Sequence, residues 1–254
     1  MDSSPFIMPP PAPPRPHSCG GLPERIVRTL FHWLVIKGCS LLFLLACRVR
    51  IVELSPVPRK GHLIMASNHI SHFDPPVLSG FFPRRIDWMA MEELFGSPFW
   101  KRVFTLLNCI PVERGGSDRT SLRRAMQRLG DGRVVGIFPE GGIRAGSQSI
   151  LNGAPMKQGL ALLSILSGVP VVPCALMGTD RLYKPAIWLR RPEIYLIIGE
   201  MVEPPKPENR EARERYSTEL GEAFVRLREE AVARFGLRAE DLPQTPQARK
   251  GIHP

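Results

Sequence analysis

Short apolar runs of strand length, alternating with segments of helical spacing, fill residues 47–235 and leave few folds open. CRVRIVEL (47–54), HLIMASN (62–68), RIDWMAM (85–91), CIPVE (109–113), RVVGIFPE (133–140), GVPVVPCAL (168–176) and PEIYLIIG (192–199) read as strands. Between them, the spacing predicts helices over 74–82, 92–107, 117–129, 155–167 and 208–235. The last carries Tyr216, Leu220, Ala223, Leu227 and Ala231 at steps of three and four. Strands that are apolar throughout must be covered on both faces, and intervening helices supply the cover. The expected class is therefore α/β, with a mostly parallel or mixed central sheet covered by helices. No internal repeat is present.

The ends differ in texture. Residues 1–23 include PPPAPPRP and other breakers, so they are expected to form a disordered proline-rich tail. Residues 24–47 are read as a membrane-associating helical segment, 48–236 as the folded domain, and 237–254 as a flexible C-terminal tail. From Leu30 to Cys47 only His32, Lys37 and Ser40 interrupt the apolar run. A transmembrane reading is at the short limit, and a central lysine costs roughly 3 kcal/mol on insertion scales. A signal-peptide reading rests on Leu44-Leu45-Ala46-Cys47, yet strand-like residues follow at once. An interfacial helix fits best: Arg25, Arg28, Thr29, His32 and Ser40 make a narrow polar stripe, and the faces rich in Leu, Phe and Trp33 would enter the acyl-chain boundary.

The formal net charge of +10 favours a polyanionic partner. No zinc-finger, basic-zipper or aromatic RNA-binding pattern occurs, so nucleic acid gains no support, and an anionic membrane surface is the expected partner. Five cysteines, at 19, 39, 47, 109 and 174, contain no CxxC pair. They suggest buried thiols in a reducing compartment, hence a membrane-associated protein on the cytoplasmic face.

Chemistry concentrates in Asn68-His69-Ile70-Ser71-His72-Phe73-Asp74. This run follows an apolar strand, and strand ends of parallel sheets are where sites collect. His69 and Asp74 are close enough for the carboxylate to accept from one imidazole nitrogen while the other nitrogen takes a proton from a hydroxyl. That is the base and orienter of a triad without its nucleophile. Ser71 lacks a GxSxG elbow, and none occurs in the chain, which leaves a substrate hydroxyl to fill the place. Further along, Glu140, Gly141 and Gly142 end a strand, with Arg144 just beyond. Glycine amides and an arginine suit an anion. Arg114 and Lys157 are weaker signals alone.

In order, these segments resemble the glycerolipid acyltransferase family that includes lysophosphatidic acid acyltransferases. Asn68, His69 and Asp74 match its NH-x4-D motif. Ile110-Pro111-Val112-Glu113-Arg114 is similar to its second motif, Phe138-Pro139-Glu140-Gly141 to its third, and Val169-Pro170-Val171-Val172-Pro173 to its fourth, with Lys157 and Gly159 in the intervening lysine segment. The resemblance implies a general base at His69 and its partner at Asp74. It also implies substrate binding by Asn68, Arg114, Glu140, Gly141, Gly142, Arg144 and Lys157, with no cofactor and no metal. Donor and acceptor would be acyl-CoA or acyl-carrier protein and a lysophospholipid. Two departures stand out: Asn108-Cys109 replace the glycine that opens the second motif, and the third reads EGGIR rather than EGTR. Two other classes stay open: a metal-dependent hydrolase using His69, His72 and Asp74, and a non-catalytic lipid-binding relative.

Overall fold

The structure, a computed structural model, describes residues 22–113, 119–206 and 209–245. Among these, seven strands form one sheet in the order β1-β7-β6-β2-β5-β3-β4. They are β1 (Arg48–Glu53), β2 (Leu63–Ser67), β3 (Ile86–Met91), β4 (Ile110–Val112), β5 (Val134–Ile137), β6 (Val171–Met177) and β7 (Glu193–Ile198). Neighbours run parallel throughout except β6 and β7, which are antiparallel. The α/β expectation holds, in its mixed form. Full burial of β2 and β6 explains why their sequences are apolar without alternation.

Helices cover both faces. On one, α4 (Arg119–Gly130), α5 (Gly159–Ser167) and α7 (Arg210–Phe235) pack through Ala125, Leu129, Leu160, Leu220 and Phe224. On the other lie α1 (Leu22–Ala46), α2 (Asp74–Phe81) and α6 (Pro185–Trp188), with Phe43, Val77, Leu78 and Trp188. The expected stripe on α7 is buried in full. The expected helix over 92–107 is broken: a 3₁₀ turn covers Glu92–Phe95, and α3 begins anew at Pro98–Leu106. Pro98 has no amide to continue a helix, and Ser97 caps the new start by accepting from Trp100 N at 3.2 Å. Asn108, one of the two departures, sits at φ 59°, a left-handed conformation that asparagine tolerates nearly as glycine does.

Two expectations at the ends change. Two residues of the polar stripe of α1, His32 and Ser40, face the protein: His32 is 3% exposed, and the Ser40 hydroxyl donates to Gly80 O at 2.8 Å. Leu30, Trp33, Leu34, Leu42 and Leu45, all more than half exposed, point outward. At the other end, the expected flexible tail is docked from 237 to 245. Leu237 is buried in the α7 face of the core, and Asp241 pairs with Arg181 at 2.8 Å. Residues 1–21, most of the expected N-terminal tail, and 246–254 lie outside the described residues.

Candidate active site

The C-terminal edge of the parallel strands collects the sequence-predicted residues. β2 ends at Ser67, and Asn68 and His69 follow at the lip. Asn68 was expected to contact substrate. It is instead wholly buried, donating to Leu176 O at 2.9 Å and accepting from Leu176 N at 2.8 Å. An amide side chain carries a donor and an acceptor side by side, so it can mimic a strand neighbour where β2 runs out. Asn68 pins the start of the His69–Asp74 loop to β6.

His69 then emerges partly exposed, its Nδ1 2.8 Å from Asp74 Oδ2. Asp74 is fully buried at the start of α2. Its Oδ2 also accepts from Ile70 N at 2.6 Å and Ser71 N at 2.8 Å, and its Oδ1 accepts from the Thr179 hydroxyl. A carboxylate oxygen that accepts two amides is an acceptor toward the ring too, so Nδ1 carries the hydrogen and Nε2 is left with its lone pair free to accept one. The imidazole stacks on Phe138 with ring centroids 4.2 Å apart, and Phe138 stacks in turn on Trp88 at 4.7 Å. The ring is thus fixed in its plane and about its axis.

Glu140, also expected at substrate, supports the loop from behind. It is 6% exposed; Oε2 accepts from His69 N at 2.6 Å, and Oε1 accepts from Ser149 Oγ and Ile150 N, both at 2.9 Å. Burial raises its carboxyl above the ordinary range, opposed by these bonds. Gly141 takes φ 66°, and a Cβ there would stand 2.4 Å from Lys157 Cε. The lysine side chain therefore lies directly over this glycine, where a Cβ would displace it. Main-chain bonds bring both expected cations to this lip: Arg144 N donates to His69 O at 2.8 Å and Lys157 N to Pro139 O at 2.9 Å. The Arg144 and Lys157 side chains are exposed, and Gly142 is half-buried. Arg114 lies outside the described residues.

Ser71 is no nucleophile in this arrangement, since its buried hydroxyl accepts from Phe73 N at 3.1 Å. His72 does not join His69 and Asp74; its ring meets Tyr183 Oη at 2.6 Å. Among the described residues no three His, Cys, Asp or Glu side chains gather as metal ligands. Thr179 and Ser149 were not visible as site residues in sequence. The signal for Thr179 was Gly178 before it, at φ 92° with Glu193 O 2.4 Å from any added Cβ, which forces a turn at the end of β6. Pro170 precedes β6, and Pro173 lies within it beside Ala66 of β2, where its carbonyl accepts from Gly199 N as β7 ends.

Residues 48–177 match the acyltransferase family model, and the chain belongs to that family. Among curated proteins it is 30% identical over 163 residues to the N-acylphosphatidylethanolamine synthase of Arabidopsis thaliana, covering 56% of each chain. It is 27% identical to the 1-acyl-sn-glycerol-3-phosphate acyltransferase of Bacillus subtilis, over 60% of this chain and 72% of that one. The enzyme of the same name from Borreliella burgdorferi is 24% identical, over 59% of this chain and 60% of that one. Among solved structures it is similar to the 1-acyl-sn-glycerophosphate (LPA) acyltransferase PlsC of Thermotoga maritima, with a TM-score of 0.64, 25% identity and 83% of both chains covered. The chain thus spans only slightly more than half the length of the first of these relatives.

Proposed function

We propose that the protein transfers a fatty acyl chain from a thioester, acyl-CoA or acyl-carrier protein, to the hydroxyl of a lysophospholipid, with 1-acylglycerol-3-phosphate as the first acceptor to test. One observation carries this reading: the His69–Asp74 pair is complete, yet Ser71, the one hydroxyl side chain in its loop, is turned inward. Nε2 of His69 takes the proton of the acceptor hydroxyl as its oxygen bonds to the thioester carbonyl carbon. Asp74 offsets the imidazolium charge. As the tetrahedral intermediate collapses, the carbon–sulfur bond breaks and the thiolate takes the proton from His69. The products are an ester and a free thiol. Arg144 and Lys157, exposed beside His69, supply charge for the acceptor phosphate, and Arg114 is proposed to join them.

The same reading places the protein on the cytoplasmic face of a membrane. α1 turns His32 and Ser40 inward and the apolar Leu30, Trp33, Leu34, Leu42 and Leu45 outward, the reverse of a helix on a water-facing surface. Its protein contacts run from His32 to Phe43, so the helix lies along the domain, as an interfacial helix does. α3 packs beside it and adds exposed Phe99 and Trp100.

The test is thiol release from acyl-CoA with lysophosphatidic acid, phosphatidylethanolamine and other acceptors offered singly. Release should require an acceptor, and His69→Ala should lower it by about 10²–10⁴-fold. Unchanged turnover in that variant would falsify the mechanism.

A further inference from the structure

Beside the His69–Asp74 loop, a 3₁₀ turn over Thr179–Tyr183 grips that loop at two points. The Thr179 hydroxyl donates to Asp74 Oδ1, and Tyr183 Oη accepts from His72 N at 3.0 Å. A 3₁₀ turn this short makes few internal bonds, so its position depends on what holds it from outside. We propose that Arg181 and Asp241 are positioning residues for the His69–Asp74 pair, with the C-terminal segment 237–245 clamping the turn that carries Thr179. In its kinetic consequence this assignment rests on the acyl transfer proposed above.

The clamp uses the residues that lie between the two gripping positions. Asp180 is wholly buried, and its Oδ2 accepts from Gln244 N at 3.1 Å. Arg181 Nη2 donates to Asp241 Oδ1 at 2.8 Å and to Asp241 O at 3.2 Å. Consecutive residues of the turn therefore reach one short stretch of chain. That stretch is anchored in its own right. Leu237 is buried in the core beneath α7, and Leu242 packs against the same cluster. Asp241 Oδ2 accepts from Arg238 N at 3.0 Å, which closes a second 3₁₀ turn over Ala239–Asp241. The Arg238 amide, together with the Arg181 guanidinium, holds the Asp241 carboxyl below the usual carboxylate range, so it is charged at neutral pH.

The side chains of the Arg181–Asp241 pair are only 19% and 21% exposed. A pair sheltered to this degree, with the guanidinium bonded to main chain as well as carboxylate, orients its partners more firmly than a solvated one. The contacts then run in series, from the core to Asp241, to Arg181, to Thr179 two residues back, and to Asp74. Hydrogen bonds weaken steeply as their angle opens. A small outward drift of the turn thus costs Asp74 its Thr179 bond and leaves the carboxylate less firmly set against the imidazole.

Full-length variants would be compared with wild type. Asp241→Asn keeps the size of the side chain but not its charge, Asp241→Glu keeps the charge, and Arg50→Gln removes an ion pair on the edge strand β1. In thiol release from acyl-CoA, Asp241→Asn should lower kcat roughly three- to fivefold at unchanged KM, Asp241→Glu should recover most of the loss, and Arg50→Gln should match wild type. A cycle with Thr179→Val separates positioning from general loosening: the double variant should be no slower than Thr179→Val alone, because both changes remove the same bond. Additive losses, an effect confined to KM, or an unchanged kcat in an active enzyme would overturn the assignment. Hydrogen exchange supplies a reading that needs no turnover. The Ile70 and Ser71 amides, bonded to Asp74, should exchange several-fold faster in Asp241→Asn while β7 is unchanged. Equal exchange in wild type and Asp241→Asn refutes the clamp. Faster exchange in a protein that releases no thiol with any acceptor upholds the clamp and refutes acyl transfer instead.

Discussion

Four hydrogen bonds converge on the carboxylate of Asp74, and they divide the labour of the dyad. Two come from the main chain of its own loop and hold the loop closed. One comes from His69 and sets its tautomer. The fourth, from Thr179, crosses from the end of β6 and fixes the oxygen that the imidazole does not use. Thr179→Val keeps the volume but leaves a buried acceptor without its donor, at about 1–3 kcal/mol. The expected result is a lower melting temperature, a roughly tenfold fall in kcat with KM unmoved, and recovery of both in Thr179→Ser, which restores the hydroxyl. A KM-only effect would argue against a positioning role. Gly141→Ala tests the other side of the lip. Left-handed backbone costs an alanine about 1–2 kcal/mol, and its methyl group displaces the Lys157 side chain. Stability should fall by that amount and KM for a phosphate-bearing acceptor should rise, measured by denaturant titration and initial rates.

At the level of elements, α1 is held by polar contacts as well as apolar ones, and this has a pH signature. His32 is buried and neutral, with its pKa lowered from the ordinary 6.5 to about 4. A histidine depressed on folding stabilises the fold fully above the unfolded pKa, and the contribution is lost as pH falls from 6.5 toward 4. Its size is at most roughly 3 kcal/mol. Urea midpoints of wild type should drop over that window by more than those of His32→Gln; parallel curves would count against the assignment. The broken 92–107 segment is also an element-scale matter. Helical spacing was present throughout, but Pro98 after Gly96 and Ser97 restarted the chain, and the restart leaves Phe99 and Trp100 exposed beside α1. The four described cysteines are free; burial raises Cys47 to about 11 and Cys109 to about 12, which makes them poor nucleophiles.

For the whole molecule, one sheet edge and one face carry distinct functions in the proposed reading. His69 occupies the edge, and α1 with α3 makes the face toward lipid. Fully burying a leucine or phenylalanine is worth about 1.5–3 kcal/mol. Leu34→Glu with Phe99→Glu should therefore weaken vesicle binding at least 100-fold, while thiol release with a detergent-dispersed acceptor persists. Flotation assays and rates measured side by side would separate the two, and undiminished vesicle binding would remove α1 and α3 from the membrane contact.

The α/β class, the strand positions and the His69–Asp74 pair were all legible in the linear sequence. Each is local: apolar runs of strand length, and a base and carboxylate five residues apart within one turn. Asn68 and Glu140 were legible as members of the site but not in their roles. Whether an amide or carboxylate faces substrate or the protein depends on partners 108 and 71 residues away in the chain. Thr179 was beyond reach for the same reason, because its hydroxyl meets Asp74 only after β6 is laid beside β2. The inward turn of His32 and Ser40 on α1 likewise required a partner surface. Periodicity shows that a helix has two faces, and packing decides which one the protein keeps.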